Sequence, residues 1–192
     1  MAAANQTRAA IRLPIGARAR MVIVVSDLDG TILALHRMPD TTVFSIDVAV
    51  AKSRNVIYFT GSLPPLRSGT AVTNRTIGFG AQPFFPPGID YASPGPFFNL
   101  YKSDVANPCT QGAQAPNANQ NGIVFFPGSV PLYRNGVLVG GLGVSGDGVD
   151  QDDYVTAQGA INFQAPTSIR ADQIVIDGVR LPYQKFPRNP TQ

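Results

Sequence analysis

Glutamate is absent from the chain, and lysine occurs only at positions 52, 102 and 185. Both residues favour exposed helix, so their scarcity argues against a fold dominated by long, solvated helices. Twelve Asp face twelve Arg, for a net charge of +3. That charge is weak and scattered, and no Lys/Arg run forms a basic patch, which argues against a nucleic-acid partner. Cys109 is the single cysteine, so an internal disulfide and a multi-cysteine metal site are both excluded. His36 is the single histidine. A Ser-His-Asp arrangement would have to use it, and nothing in the spacing points to one, so the chain reads as a binding module rather than an enzyme. No apolar run approaches the roughly 18–20 residues of a membrane-spanning helix. The composition is that of a soluble globular protein and leaves the compartment open, extracytoplasmic if the chain is a piece of a longer protein.

Nineteen Gly and seventeen Pro predict that much of the chain is turn and loop, and 192 residues suffice for one domain with a real core. The stretch Met21–Met38 carries the first decision. Asp27-x-Asp29-Gly30-Thr31 after an apolar run opens haloacid-dehalogenase-type phosphatases, where Asp27 would be nucleophile and Asp29 acid. That reading also needs Thr60 as phosphate anchor, Lys102 as charge stabiliser, and Asp147 with Asp152 as a magnesium site. It requires a parallel sheet with strands alternating with helices. The alternative is a hairpin, Val22–Ser26 and Thr31–Arg37, joined at Asp29-Gly30. The hairpin reading is preferred, because Ile46, Ala49, Val50, Ser53 and Ile57 carry a helical period through the segment where the phosphatase needs a strand.

Ala2–Leu13 reads as a short helix stopped by Pro14, and Thr42–Phe59 as a longer one ended by Gly61. Residues 78–122 show no sustained period and hold seven prolines, the pairs Phe84-Phe85 and Phe97-Phe98, and the polar run QGAQAPNANQNG. Such an insertion forms a lid, a binding loop or an arm around a partner. Ile123–Phe126 is a short strand candidate. A second hairpin follows, Ser129–Arg134 and Val137–Ser145 around Asn135-Gly136. The glycines of its second strand would let a backbone or a flat ligand approach closely. Asp150, Asp152 and Asp153 crowd the start of a helix running to about Ala160, where carboxylates complement the helix dipole. Asp177-Gly178 marks a last possible hairpin in the tail.

Two hairpins separated by a helix, with helices before and after, describe an antiparallel sheet with helices packed on it. Within that frame the chain resembles the GlcG/HbpS-like haem-binding domains, which also form the C-terminal part of PduO-type proteins. The resemblance rests on Asp27–Gly30, Arg37-Met38-Pro39-Asp40, Ser45-x-Asp47-x-Ala49-x-x-Lys52-Ser53, Pro127-Gly128-Ser129-x-Pro131, and Gly140–Gly146 with Gln151-Asp152. Pro39, Ser53, Ser129, the insertion and the tail depart from the family pattern. The resemblance implies a profilin-like α/β fold, placed over residues 1–165 ahead of an extended tail at 166–192, together with symmetric oligomers and haem or a related flat ligand. His36 is the candidate iron ligand, with Met38 on the same side of the strand. Arg37, Tyr133, Gly143 and Ser145 complete the candidate cofactor site, and Tyr58, Tyr154 and Cys109 are weaker ligands.

Residues 78–122 and 166–192 carry much apolar surface outside the two family blocks. They are therefore expected to pack against other subunits of a homo-oligomer. A self-assembly module with an empty pocket is the second functional reading.

Overall fold

The computed structural model describes residues 1–192. In chain order it contains α1 (Ala2–Gln6), β1 (Val22–Ser26), β2 (Ile32–Arg37), α2 (Ser45–Phe59), α3 (Asn74–Gly80) and α4 (Phe98–Ala106). There follow β3 (Ser129–Arg134), β4 (Val137–Ser145), α5 (Val149–Gly159), β5 (Val175–Ile176) and β6 (Val179–Arg180). The four long strands form one antiparallel sheet in the order β2-β1-β4-β3, and β5-β6 form a separate two-stranded hairpin. An antiparallel sheet with helices packed on it is the architecture the hairpins predicted.

The two faces of the sheet are covered by different helices. Val22 and Val24 meet Ala49 of α2 on one face, while Val130 and Leu142 meet Ala160 and Val144 meets Val155 on the α5 face. The glycines of β4 make the α2 contact possible. A Cβ at Gly141 would collide with Ser53 O, and one at Gly143 with Ala49 O. The close-packed face therefore holds the chain's own helix.

The central constraint is a buried charge. Lys52, fully buried in α2, donates from Nζ to Asp152 Oδ2 of α5 at 3.0 Å and to Val144 O of β4 at 2.8 Å. In a continued β3–β4 ladder the Gly128 N–H would donate to Val144 O. Instead, with φ at +119°, the Gly128 N–H turns away to donate to Asp153 Oδ1 at 2.9 Å and the ammonium takes its place, while Gly128 O keeps its ladder bond from the Val144 N–H at 2.8 Å. Asp153 also accepts from Arg75 Nε of α3 at 2.5 Å and from the Lys185 N–H of the tail at 3.0 Å. Two adjacent carboxylates thus tie α2, α3, the entry to β3 and the C-terminal tail to the start of α5.

Several expectations are corrected. The first helix ends at Gln6, because Thr7 turns extended, caps back onto Ala3 O and leads Arg8 into a bridge with Arg18. In the β1–β2 hairpin only Gly30 of the Asp-Gly pair has positive φ, and the strands slip register between Val25 and Ser26. The loop is thus a longer, bulged one rather than the two-residue turn seen at Asn135-Gly136 and Asp177-Gly178, where both residues have positive φ. Ile123–Phe126 is not a strand, since the Val124 N–H is taken by Asn55 Oδ1.

The largest correction concerns the insertion and the tail, which bury part of their apolar residues against the chain's own core rather than mainly against other subunits. Phe85 and Phe97 of the insertion, Ile123 just after it, and Leu181 and Tyr183 of the tail join Phe59, Val72 and Ile77 in a cluster of 14 buried residues. A Thr73–Thr76 capping box starts α3 within it, and Thr76 Oγ1 donates to Pro182 O at 2.7 Å. The tail from residue 166 is packed onto the same body as the rest.

Removing one partner of a buried ion pair leaves the other uncompensated. Lys52→Met is therefore expected to cost about 3–5 kcal/mol in urea unfolding, and the double change with Asp152→Leu less than the sum of the two single losses. A loss below about 1 kcal/mol for Lys52→Met would contradict the role assigned to the pair.

A second expectation follows from burial, which outweighs the neighbouring cations and raises both carboxyls from 3.8 to about 6. Between those values the folded protein keeps protons that the unfolded chain has released, so each carboxyl's contribution to stability falls as pH rises from about 4 to about 6. Relative to Asp153→Asn, the wild type should lose up to about 1.4 kcal/mol per pH unit across that window. A gap that stays constant or widens in favour of the wild type would contradict it.

Candidate functional site

β2 is an edge strand, and Leu33, Ala34, Leu35, His36 and Arg37 along it are all exposed. Its side chains alternate between the two faces of the sheet. Leu35 and Arg37 stand opposite Val24 and Val22 on the α2 side, whereas Ala34 and His36 stand opposite Val25 and Ile23 on the α5 side. Beside Ile23 the α5 side opens into an apolar cleft of about 370 Å³ between α1 and α5. Ile23, Leu142 and Val144 form its sheet wall, Tyr154 and Val155 its α5 wall, and Ala3 lies on the α1 side. The sheet thus presents a shelf, running from the cleft across Ile23 and Val25 to the exposed Ala34 and His36.

The sequence-predicted residues are not brought together in one place. Met38 lies just past β2, buried in the cluster with Met21, Val144 and Val155. Arg37 and Ser145 flank Val22 at the same end of the sheet. The Arg37 guanidinium donates to Thr41 O at 2.7 Å, and buried Ser145 donates to Ser45 Oγ at 3.3 Å. Tyr133 lies on β3 opposite Leu138, at the other end of the sheet and inside the largest core cluster, where burial raises its hydroxyl pKa. Gly143 lies under α2. Of the six, only His36 is exposed beside the apolar cleft. Tyr58 and Tyr154 are half-buried, and Cys109 is exposed in the insertion.

The residues of the phosphatase reading do not converge on a site. Asp27 and Asp29 are exposed turn residues, and the Thr31 N–H bonded to Asp29 Oδ1 holds that carboxyl below its ordinary pKa. Asp147 accepts from Arg12 Nε at 2.7 Å and the Arg20 N–H at 2.8 Å. Asp152 is bound to Lys52, Lys102 is exposed on α4, and no group of three or more His, Cys, Asp or Glu residues could hold a metal ion. The antiparallel sheet removes the topology that chemistry requires. The sequence reading missed the Lys52–Asp152–Asp153 network. Its one signal was a lysine inside the apolar stripe of α2, between Ala49 and Val56.

As a donor set for haem, the shelf offers one exposed imidazole above an apolar floor. Met38, though it shares the side of His36, is committed to the core. One imidazole and an apolar contact face are what the shelf would offer that group.

Residues 1–161 match the family described as "Haem degrading protein HbpS-like". The corrinoid adenosyltransferase PduO of Salmonella typhimurium is 28% identical over 158 residues, which cover 81% of this chain and 36% of that protein. Its counterpart from Citrobacter freundii is 29% identical over 160 residues, 82% of this chain and 37% of that protein. The chain thus spans just over a third of the length of these relatives. Among solved structures, the PduOC:heme complex superposes with a TM-score of 0.52 at 25% identity, covering 77% of this chain and 82% of that one. Protein ORFY of Klebsiella pneumoniae, with a TM-score of 0.50 at 24% identity over 75% of this chain and 74% of its own, shares the fold. No helix is long and apolar enough to cross a membrane.

Proposed function

We propose that this chain, which belongs to the HbpS-like family, is a haem-binding module that seats a porphyrin on the exposed shelf of β2 with His36 as the axial iron ligand. The observation that carries the reading is the register: His36 stands directly opposite Ile23, which lines the cleft between α1 and α5. Haem bound there would supply a metal centre. The protein's part is to offer one imidazole nitrogen and to remove one porphyrin face from water against Ile23, Val25 and Ala34. An exposed imidazole needs no core rearrangement to bind. The similarity to a haem complex supports the cofactor class, and the residue assignment rests on the register and the exposure of His36.

A second reading, self-association, has an observation of its own. The outer edge of β2 has no strand partner, and Leu33 and Leu35 are 61% and 45% exposed along it. Such an edge is a template for pairing with another chain. The insertion and tail, proposed as oligomer contacts, still expose Ile89, Tyr91, Val105 and Phe186. Homo-oligomer formation is therefore proposed together with haem binding, β2 being the edge common to both.

Titration with haemin is expected to give a saturable, shifted Soret band in the wild type and none in His36→Ala. The urea midpoint of that variant should correspond to a change within about 0.5 kcal/mol, because the side chain is exposed. Met38→Ala, two residues on and buried, should cost about 2–5 kcal/mol. Unchanged haem binding in His36→Ala would move the site. Sedimentation of the apo and loaded protein in the same series tests association, and a monomer in both states would remove the second reading.

A further inference from the structure

A small cavity of about 190 Å³ lies between α5, the start of β3 and the tail, and shares no lining residue with the cleft beside His36. Val130, Pro131, Ala157, Ala160 and Ala165 give it an apolar side. Arg170, Tyr183, Gln164 and Gln184 give it a polar side, and no acidic residue lines it.

An unpaired cation is fixed in the cavity wall. Arg170 is half-buried, its Nε donates to Ala165 O at 3.0 Å, and its guanidinium carbon stands 5.3 Å from the centroid of the Tyr183 ring. Ala165 and Tyr183 both line the cavity, so these two contacts set the guanidinium at its edge. Its terminal nitrogens, Nη1 and Nη2, bond nothing in the chain. The ion pairs of the molecule draw on Arg12, Lys52, Arg75 and Lys185, and Arg170 takes part in none of them.

A second polar group without a partner lies at the same place. Tyr183 is 6% exposed, and its hydroxyl makes no hydrogen bond within the chain. The unpartnered side-chain oxygens sealed from any open space are Ser26 Oγ and Asp152 Oδ1 alone, so the Tyr183 hydroxyl keeps access to the cavity that Tyr183 lines. Burial raises its pKa, Arg170 acting in the opposite direction, and it stays a protonated donor. Asp172 and Asp153 act on it more weakly than the guanidinium does. Asp153 is paired with Arg75, and Asp172 accepts from Gln173 Nε2. A guanidinium and a phenol, both unpartnered at one cavity, form a donor set for an anion.

The apolar side decides which anion. A guanidinium meets a carboxylate through two parallel N–H···O bonds, and Nη1 and Nη2 are both free to make them. Phosphate would turn further charged oxygens toward Val130, Pro131 and Ala157, which offer no side-chain donor. The C-terminal end of α5 is the negative end of its dipole, so an alkyl group rather than a carboxylate belongs against Ala157 and Ala160. We propose that this cavity is a binding site for a small monocarboxylate, its carboxylate held by Arg170 and the Tyr183 hydroxyl and its short alkyl chain against Val130, Ala157 and Ala160.

The test is a two-dimensional ¹H–¹⁵N NMR titration of the full chain with butyrate at fixed ionic strength. Butyramide serves as the neutral partner of the same shape, and inorganic phosphate as the anion without an alkyl chain. Butyrate is expected to give saturable shifts centred on the amides of residues 164–170 and 183–184 and on the Arg170 side-chain Nε–H. Butyramide should give none, and phosphate should bind about tenfold more weakly. Tyr183→Phe should weaken butyrate about tenfold with a urea midpoint no lower than that of the wild type, because the hydroxyl it removes has no partner in the chain. Ala157→Leu, at a half-buried position of α5, fills the cavity with the cation intact and should abolish the shifts. No saturation by roughly 20 mM, shifts mapping elsewhere, equal binding of butyramide or phosphate, or unchanged affinity in Tyr183→Phe would each overturn the assignment.

Discussion

A lysine ammonium with no exposure must be matched by charge and by acceptors, and the structure around Lys52 is arranged to do so. Asp152 supplies the charge and Val144 O the second acceptor. The latter has room for the ammonium because the Gly128 N–H bonds Asp153 instead, while Gly128 O still accepts from the Val144 N–H. Since Asp153 also holds Arg75 and the Lys185 N–H, the positions of α2, α3, α5 and the tail are set together. With α2 on one face and α5 on the other, β1 and β4 are covered, and β2 is left as the uncovered strand.

That arrangement separates the stabilising residues from the candidate ligand-binding ones. Lys52, Asp152, Gly143 and Ser145, all within the family motifs, lie buried and hold the sheet between its helices. His36 stands on the free edge, where its imidazole is available without opening the core. A binding strand on the sheet edge is also a strand that can pair with another copy, so ligand binding and association would share one surface.

Much of this was legible in the sequence where the signal is local. Asn135-Gly136 and Asp177-Gly178 specify tight turns through positive φ, and the stripe through Ala49 and Val56 specifies α2. The candidate site's one histidine was equally plain. Its exposure was not, because β2 reads Ile-Leu-Ala-Leu-His-Arg with apolar residues on both faces, so alternation could not say which face was covered. The insertion was unreadable for another reason. α3 is only seven residues long and α4 nine, too short to establish a period. Phe85 and Phe97 of the insertion share a core cluster with Leu181 and Tyr183, far along the chain. The Lys52–Asp152 pair spans 100 residues of sequence, and no spacing rule reaches that far. Reading the acidic cluster of α5 as dipole complement gave a local cause to residues whose partners are distant.

The most direct measurement of the proposed role is a crystal structure of the haem-loaded chain. The iron is predicted to be bonded to an imidazole nitrogen of His36, with one porphyrin face against Ile23, Val25 and Ala34 and one edge at the mouth of the cleft between α1 and α5. Haem found with its iron on a tyrosine or on Cys109, or lodged away from β2 with His36 free, would contradict it.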